Sequence, residues 1–253
     1  MEVLDFTSRA VLVTGGTRGL GAGIAAYFRD AGANVVVCGR TPPAGAAKDF
    51  VQADVRDPVQ VDHVVRAVLD RLGRLDVVIN NAGGAPPADA ATASPRFHAK
   101  VIELNLIAPL HVAQRANAVM QEADGGCILM IGSISGVRAS PGTAAYGAAK
   151  AGLHHLATSL AVEWAPKVRV NSVIVGPAGT QAAGAHYDGD EDAVAQTVPS
   201  GWLASALDVA RACAYLASPL AAHVSGAALT VHGGGERPTF LRDRTGHTCV
   251  RRP

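Results

Sequence analysis

Cysteine and net charge are both scarce in this chain, and each shortage removes a class of function. The four cysteines, Cys38, Cys127, Cys213 and Cys249, stand far apart in 253 residues and form no C-x-x-C pair. A zinc ribbon and a dithiol redox motif are thereby excluded, and a reduced, cytoplasmic protein is the expectation. Charged residues make up only 17%, and Lys+Arg 22 against Asp+Glu 21 leaves a net charge of +1. No global field draws such a chain to nucleic acid or to an anionic membrane, so its partners have to be chosen by a site. Long apolar runs are lacking too. The longest uncharged stretch, residues 212–235, contains Pro219, His223, His232 and four glycines, and does not read as a membrane span. Glu2 and Asp5 precede the first apolar run, which is the wrong charge and the wrong order for a secretory signal.

What is abundant is apolar residue, 49% of the chain, with 28 Gly and 14 Pro, the composition of a well-cored soluble protein. Short runs rich in Val and Ile alternate with longer amphipathic segments, the pattern of βαβ units around a parallel sheet buried on both faces. Residues 10–14, 34–38, 50–52, 75–80, 126–131, 169–175 and 227–231 are predicted strands. Helices are predicted from Asp57-Pro58 onward, where a carboxylate cap precedes a proline at the first helical position, and over 144–164 and 207–217. No linker divides the chain and no repeat of about 20–50 residues is visible. The expectation is an α/β fold: a single domain over residues 1–253, Rossmann-like and doubly wound, with a seven-stranded parallel sheet and helices on both faces. Two regions break the pattern. Residues 178–206 are Gly/Ala-rich with an acidic cluster, Asp188, Asp190, Glu191 and Asp192, and are long enough to form a lid over a site. Residues 236–253 carry Arg237, Arg242, Arg244, Arg251 and Arg252 and read as a solvated tail.

Directly after the first predicted strand comes T-G-G-T-R-G-L-G, from Thr14 through Gly15, Thr17, Arg18, Gly19 and Leu20 to Gly21, followed by an apolar helical run. Strand, glycine turn and helix in that order suit a dinucleotide: a tight turn at Gly15, backbone approach to a pyrophosphate at Gly19 and Gly21, and a helix N-terminus with unpaired N–H groups. Gly15 and Gly19 are separated by three residues rather than by the one of G-x-G-x-x-G, which disfavours methyltransferases and flavoproteins. About 20 residues beyond such a turn an acid ordinarily holds the ribose 2′-hydroxyl; here the second strand ends in Cys38-Gly39-Arg40. Arg40 and Arg18 instead suit a 2′-phosphate, whose oxygens match guanidinium in charge and fork geometry, so NADP(H) is preferred, with NAD(H) possible.

Tyr146 and Lys150 stand four apart in Y-G-A-A-K, one turn along one face of a helix. A tyrosine with its ordinary pKa near ~10 exchanges protons poorly at neutral pH, and a nearby cation favours its phenolate. Ser133 lies at the end of the strand predicted over 126–131, where open α/β sheets bind ligands, with Ser135 as a competing hydroxyl. The histidines His63, His111, His154 and His155 show no carboxylate-rich ligand pattern and are expected in surface or core roles rather than on a metal.

These motifs in this order resemble the short-chain dehydrogenase/reductase family over residues from about 8 to 238. The glycine turn T-G-x-x-x-G-x-G is matched by Thr14, Gly15, Gly19 and Gly21, the N-N-A-G segment by Asn80, Asn81, Ala82 and Gly83, and the helix asparagine by Asn105. Ser133 and the Y-x-x-x-K pair Tyr146 and Lys150 complete a tetrad. Asp54-Val55 resembles the family's adenine contact, and Gly176 and Thr180 its carboxamide contact. The chain departs from the pattern at Val175, where the family usually has proline, and at His232, where it often has Asp.

The resemblance implies an NADP(H)-dependent oxidoreductase that interconverts a ketone and a secondary alcohol by hydride transfer. Tyr146 would be general acid/base, Ser133 the group orienting the carbonyl, and Lys150 the ribose ligand that supports the phenolate. Asn105 would hold a relay water. It also implies a homo-oligomer, tetramer or dimer, built on the helix bearing the tyrosine, residues 109–121 and the last strand. The alternatives are a 3-oxoacyl-thioester reductase and a catalytically silent dinucleotide-sensing protein. The acidic cluster at 188–192 would weakly repel an acidic acyl carrier, since exposed charges are screened within about 8 Å.

Overall fold

Val and Ile dominate the short strands because a strand covered on both faces has to be apolar on both, and here they form a single sheet. The structure, a computed structural model, describes residues 4–43, 48–179 and 189–236. Seven parallel strands, β1 (Ala10–Thr14), β2 (Asn34–Gly39), β3 (Phe50–Gln52), β4 (Val77–Asn80), β5 (Gly126–Ser133), β6 (Val168–Val175) and β7 (Ala228–Val231), lie in the order β3-β2-β1-β4-β5-β6-β7. Strand order therefore reverses between β1 and β4, and the crevice beyond their carboxyl ends is where such a sheet takes a ligand.

Alternation along each strand divides the core in two. Leu12, Val36, Val78, Ile128 and Met130 face one layer, against helices α2 (Pro58–Leu72), α4 (Ala108–Glu122) and α5 (Ala144–Glu163). Val11, Val13, Val35, Ile79 and Leu129 face the other, against α1 (Gly19–Asp30) and α7 (Ala206–Ala217). The helix starts are set by local chemistry. Asp57 caps α2 by accepting the Val59 N–H at 2.9 Å, with Pro58 at the first position. Ser94 caps α3 (Pro95–Ile102), and Ser205 and Asp208 form a reciprocal capping box on α7, the arrangement that satisfies two otherwise orphaned N–H groups at once.

Strand limits differ from the sequence expectation at their ends. β5 runs on to Ser133, because Gly132 and Ser133 pair with Ile174 and Val175 of β6 despite carrying no apolar side chain. Val175, the departure from the family's proline, is the last residue of β6 and is in register with both Ser133 and Val231. Within the predicted lid the described residues include a short helix, α6 (Glu191–Thr197), capped by Asp190; Thr180, Ala185, His186, Tyr187 and Asp188 lie outside the described residues, as do residues 237–253 of the predicted tail. Among the described residues, no helix is long and apolar enough to cross a membrane.

Candidate active site

The carboxyl ends of β1 and β4 are laced together by two side chains. Thr14 is buried, and its hydroxyl accepts the backbone N–H groups of Asn81 and Ala82 at 3.1 and 3.0 Å. Asn81 answers with Nδ2, donating to the carbonyls of Thr14 (3.0 Å) and Gly15 (3.2 Å). The glycine turn is fixed against this knot. Gly15 and Gly19 hold positive φ, 64° and 56°, a region that costs a residue with a Cβ. A Cβ on Gly21 would stand 2.3 Å from the Gly15 carbonyl oxygen and 2.4 Å from Asn81 Nδ2. Gly21 thus has a packing reason of its own, the close seat of the helix on the turn.

The residues here fit a dinucleotide. Arg18, at the N-cap of α1, supplies no side-chain cap and the first turn has no acid, so the helix presents its free N–H groups to an anion. Arg18 and Arg40 are both exposed on the rim of the crevice, and among the described residues neither is drawn into an ion pair. Asp54 is held below the usual carboxylate range chiefly by Arg56, with a smaller contribution from Arg40; Arg56 Nε spans its two oxygens at 2.9 and 3.1 Å. Val55 beside it is buried.

Ser133, Tyr146 and Lys150 come together at the end of β5. Residues 146, 150 and 154 recur every four positions, so α5 presents one row of side chains to that strand. Lys150 is only 3% exposed. Its Nζ donates to the Ile131 carbonyl at 2.7 Å and stands 5.7 Å from the centroid of the Tyr146 ring. Burial pushes the Lys150 ammonium down to about 8, since one carbonyl does not replace the water it has lost. The Ser133 hydroxyl accepts the Ser135 N–H at 3.1 Å, which places the competing Ser135 as a turn residue, itself receiving the Ser140 hydroxyl.

Asn105 is fully buried in a π-helical turn, Glu103–Ile107, between α3 and α4. Its Oδ1 accepts the Gly84 N–H at 2.8 Å, and Nδ2 donates to the carbonyls of Gly84 (3.0 Å) and Val101 (2.9 Å). The segment after β4 is thereby clamped. It passes so close that a Cβ on Gly83 would meet Asn105 Oδ1 at 2.7 Å and Lys150 Nζ at 3.3 Å. π-turns inside helices are often found at functional sites.

The departure at His232 has a local reason. Its Nδ1 accepts the Gly234 N–H at 3.2 Å, a turn bond that an aspartate oxygen also makes. Gly176 packs against it, with a hypothetical Cβ 2.5 Å from His232 Cβ. His154, which the sequence assigned only a surface or core role, accepts the Ser133 N–H at 3.3 Å through Nε2. The signal available was its place one turn beyond Lys150 in the row 146, 150, 154.

Comparison with known proteins follows the same lines. The family model described as enoyl-(acyl carrier protein) reductase matches residues 15–236. The 3-oxoacyl-(acyl-carrier-protein) reductase MabA of Mycobacterium tuberculosis is 35% identical over 230 residues, 90% of this chain and 93% of that one. The reductase FabG of Escherichia coli is 32% identical over 240 residues, 91% of this chain and 98% of its own. Among solved structures, ligand-free aldohexose dehydrogenase of Thermoplasma acidophilum superposes with a TM-score of 0.86 at 25% identity, covering 98% of both chains. A short-chain dehydrogenase/reductase of Brucella melitensis gives 0.85 at 25% identity, over 91% of this chain and 98% of that one.

The buried ammonium has a consequence for stability. Between about 8, the folded value of Lys150, and 10.5, its ordinary one, this lysine binds more protons in the unfolded chain, so its contribution to unfolding free energy rises with pH across that window and its burial cost is fully present below it. Relative to Lys150→Met, the ligand-free wild type is expected to gain unfolding free energy in denaturant melts as pH rises through this window, whatever slope the buried thiols of Cys38, Cys127 and Cys213 add to both proteins; equal slopes in both proteins would contradict the burial argument.

Proposed function

Because the chain belongs to the short-chain dehydrogenase/reductase family and is an oxidoreductase of that family, we propose that it interconverts a ketone and a secondary alcohol with NADP(H), with Tyr146 trading the proton. The observation that carries this reading is the buried Lys150 ammonium 5.7 Å from the centroid of the Tyr146 ring, at the strand end that bears Ser133. The nicotinamide, when bound, supplies hydride to the carbonyl carbon in reduction and accepts it in oxidation. Tyr146 Oη gives its proton to the carbonyl oxygen in the first direction and takes it from the alcohol in the second. Ser133 Oγ already accepts a backbone N–H, which leaves its own proton for that same oxygen, orienting it and stabilising developing negative charge. Lys150 uses one N–H on the Ile131 carbonyl; two remain for the nicotinamide ribose hydroxyls, and its charge favours the phenolate form of the tyrosine. Asn105 Oδ1 keeps a second lone pair for a water linking Lys150 to solvent.

Gly15, Thr17, Gly19 and Leu20 of the turn, Asn81, Ala82 and Gly83, Asp54 and Val55, and Gly176 with Thr180 would line the rest of the dinucleotide. Preference for NADP(H) rests on Arg18 and Arg40, both exposed beside a β2 that ends without a carboxylate. We read the chain as one cytoplasmic domain that assembles as a tetramer or dimer. Ala144, Ala148, Ala151 and Val162 form an exposed face of small and apolar residues on α5 that suits close helix contact.

A second reading, reduction of a 3-oxoacyl thioester, is favoured by the similarity to MabA and FabG. Against it stand the exposed Asp190, Glu191 and Asp192 at the start of α6, which meet an acidic carrier unfavourably. NADPH oxidation measured against ketones, diketones and 3-oxoacyl thioesters separates the readings; binding of NADPH without turnover of any of them would favour the dinucleotide-sensing alternative.

Tyr146→Phe is expected to lower turnover by about two orders of magnitude or more while dinucleotide binding survives; near-normal turnover would remove the assignment. Arg40→Ala is expected to cut the preference for NADPH over NADH by about tenfold, the scale of one charge-assisted phosphate contact, read from kcat/KM with each cofactor. An unchanged ratio would return the cofactor question to NAD(H).

A further inference from the structure

β5 extends three residues past the point where β4 leaves it, since the pairing ends at Asn80 with Met130 and the strand runs on to Ser133. Cys127 donates its N–H across to the Asp76 carbonyl on the β4 side. Backbone groups alternate sides along a strand, so the Ile131 carbonyl and the Ser133 N–H point to that same side, where among the described residues no strand remains to meet them. Two side chains of α5 take the place of β4. Lys150 Nζ donates to the Ile131 carbonyl at 2.7 Å, and His154 Nε2 accepts from the Ser133 N–H at 3.3 Å.

From this geometry we propose that His154 is the positioning residue of the Ser133 hydroxyl, holding the serine backbone at the open edge of β5 so that Oγ keeps its aim at the substrate oxygen. The inference rests on the function proposed above for Ser133 and Tyr146. Space for the imidazole is made by glycines on two sides. A Cβ on Gly132 would stand 2.2 Å from His154 Nε2, and one on Gly136 would stand 2.9 Å from Cε1. The opposite edge of the serine is held by register with Val175, and its hydroxyl is tied to the turn by the Ser135 N–H. His154 therefore restrains the serine backbone on the side where the sheet has ended. Accepting at Nε2 requires a neutral ring with its proton on Nδ1. Burial first, and the Lys150 charge second, push the imidazole down to about 4, so that lone pair stays available through the neutral range.

A cycle of four proteins tests the role: wild type, His154→Leu, Ser133→Ala and the double variant, each assayed with NADPH and the best ketone of the panel. His154→Leu is expected to lower kcat by about tenfold or more, the scale of a small misplacement of a reacting group, with KM for NADPH within about twofold. In the Ser133→Ala background the same change is expected to cost less than about threefold, because residues acting through one another are not additive. Additive losses, or an unchanged kcat in His154→Leu, overturn the proposal. Should His154→Leu not fold, Gly132→Ala carries the same cycle, its Cβ displacing the imidazole. Tyr146→Phe assayed in parallel separates the two claims: if it stays active the proton-transfer reading falls, and if it is inactive while His154→Leu turns over normally, only the positioning role falls.

Discussion

The overhang of β5 beyond β4 is the constraint on which the site depends. A parallel sheet satisfies its backbone groups by pairing, and a strand that outruns its neighbour leaves donors and acceptors that have to be met by something else. Here they are met by Lys150 and His154, one turn apart on α5. That solution does two things at once. It completes the ladder, and it draws the face of α5 bearing Tyr146 against the strand end bearing Ser133. An ammonium is thereby buried beside a phenol ring in a place where, without the Ile131 carbonyl, it would have no polar partner from the strand.

The other half of the crevice is built by a different device with the same logic. β1 ends in a buried threonine whose hydroxyl takes two N–H groups from the segment after β4, while Asn81 returns two bonds to the turn. Asn105 clamps that segment from the far side through Gly84. The crevice is lined by side chains whose hydrogen bonds go to backbone, so its shape is fixed before any ligand arrives, and preorganisation of that kind is what makes electrostatic groups effective in catalysis. The free N-terminus of α1 and the two exposed arginines are left facing outward for an anion.

Much of this was legible in the sequence. Runs of Val and Ile announced the inner strands because both faces of the sheet are covered there, whereas the edge strands β3 and β7, with one Val each and partly exposed, showed only as short apolar runs in the alternation; the glycine turn, Ser133, Tyr146 and Lys150 stood out because their spacing is dictated by backbone geometry. What was not legible depended on tertiary approach. Gly132 and Ser133 have no strand-forming side chains, so the last two residues of β5 were missed; they are strand only because β6 extends beside them. The π-turn carrying Asn105 has the composition of an ordinary helix. His154 read as a surface or core histidine, since nothing local announces that the backbone N–H it meets comes from a residue twenty-one positions earlier. His232, unexplained in the sequence, turns out to make a turn bond of the kind an aspartate makes.

The most direct test is a crystal structure of the protein with NADP(H) and an unreactive analogue of a ketone it turns over. The account predicts the carbonyl oxygen within about 3.2 Å of both Ser133 Oγ and Tyr146 Oη, the ordinary hydrogen-bond range, with Lys150 on the ribose and the Ser133 N–H still on His154. A carbonyl bound away from those two hydroxyls, with the dinucleotide in the crevice, would contradict it.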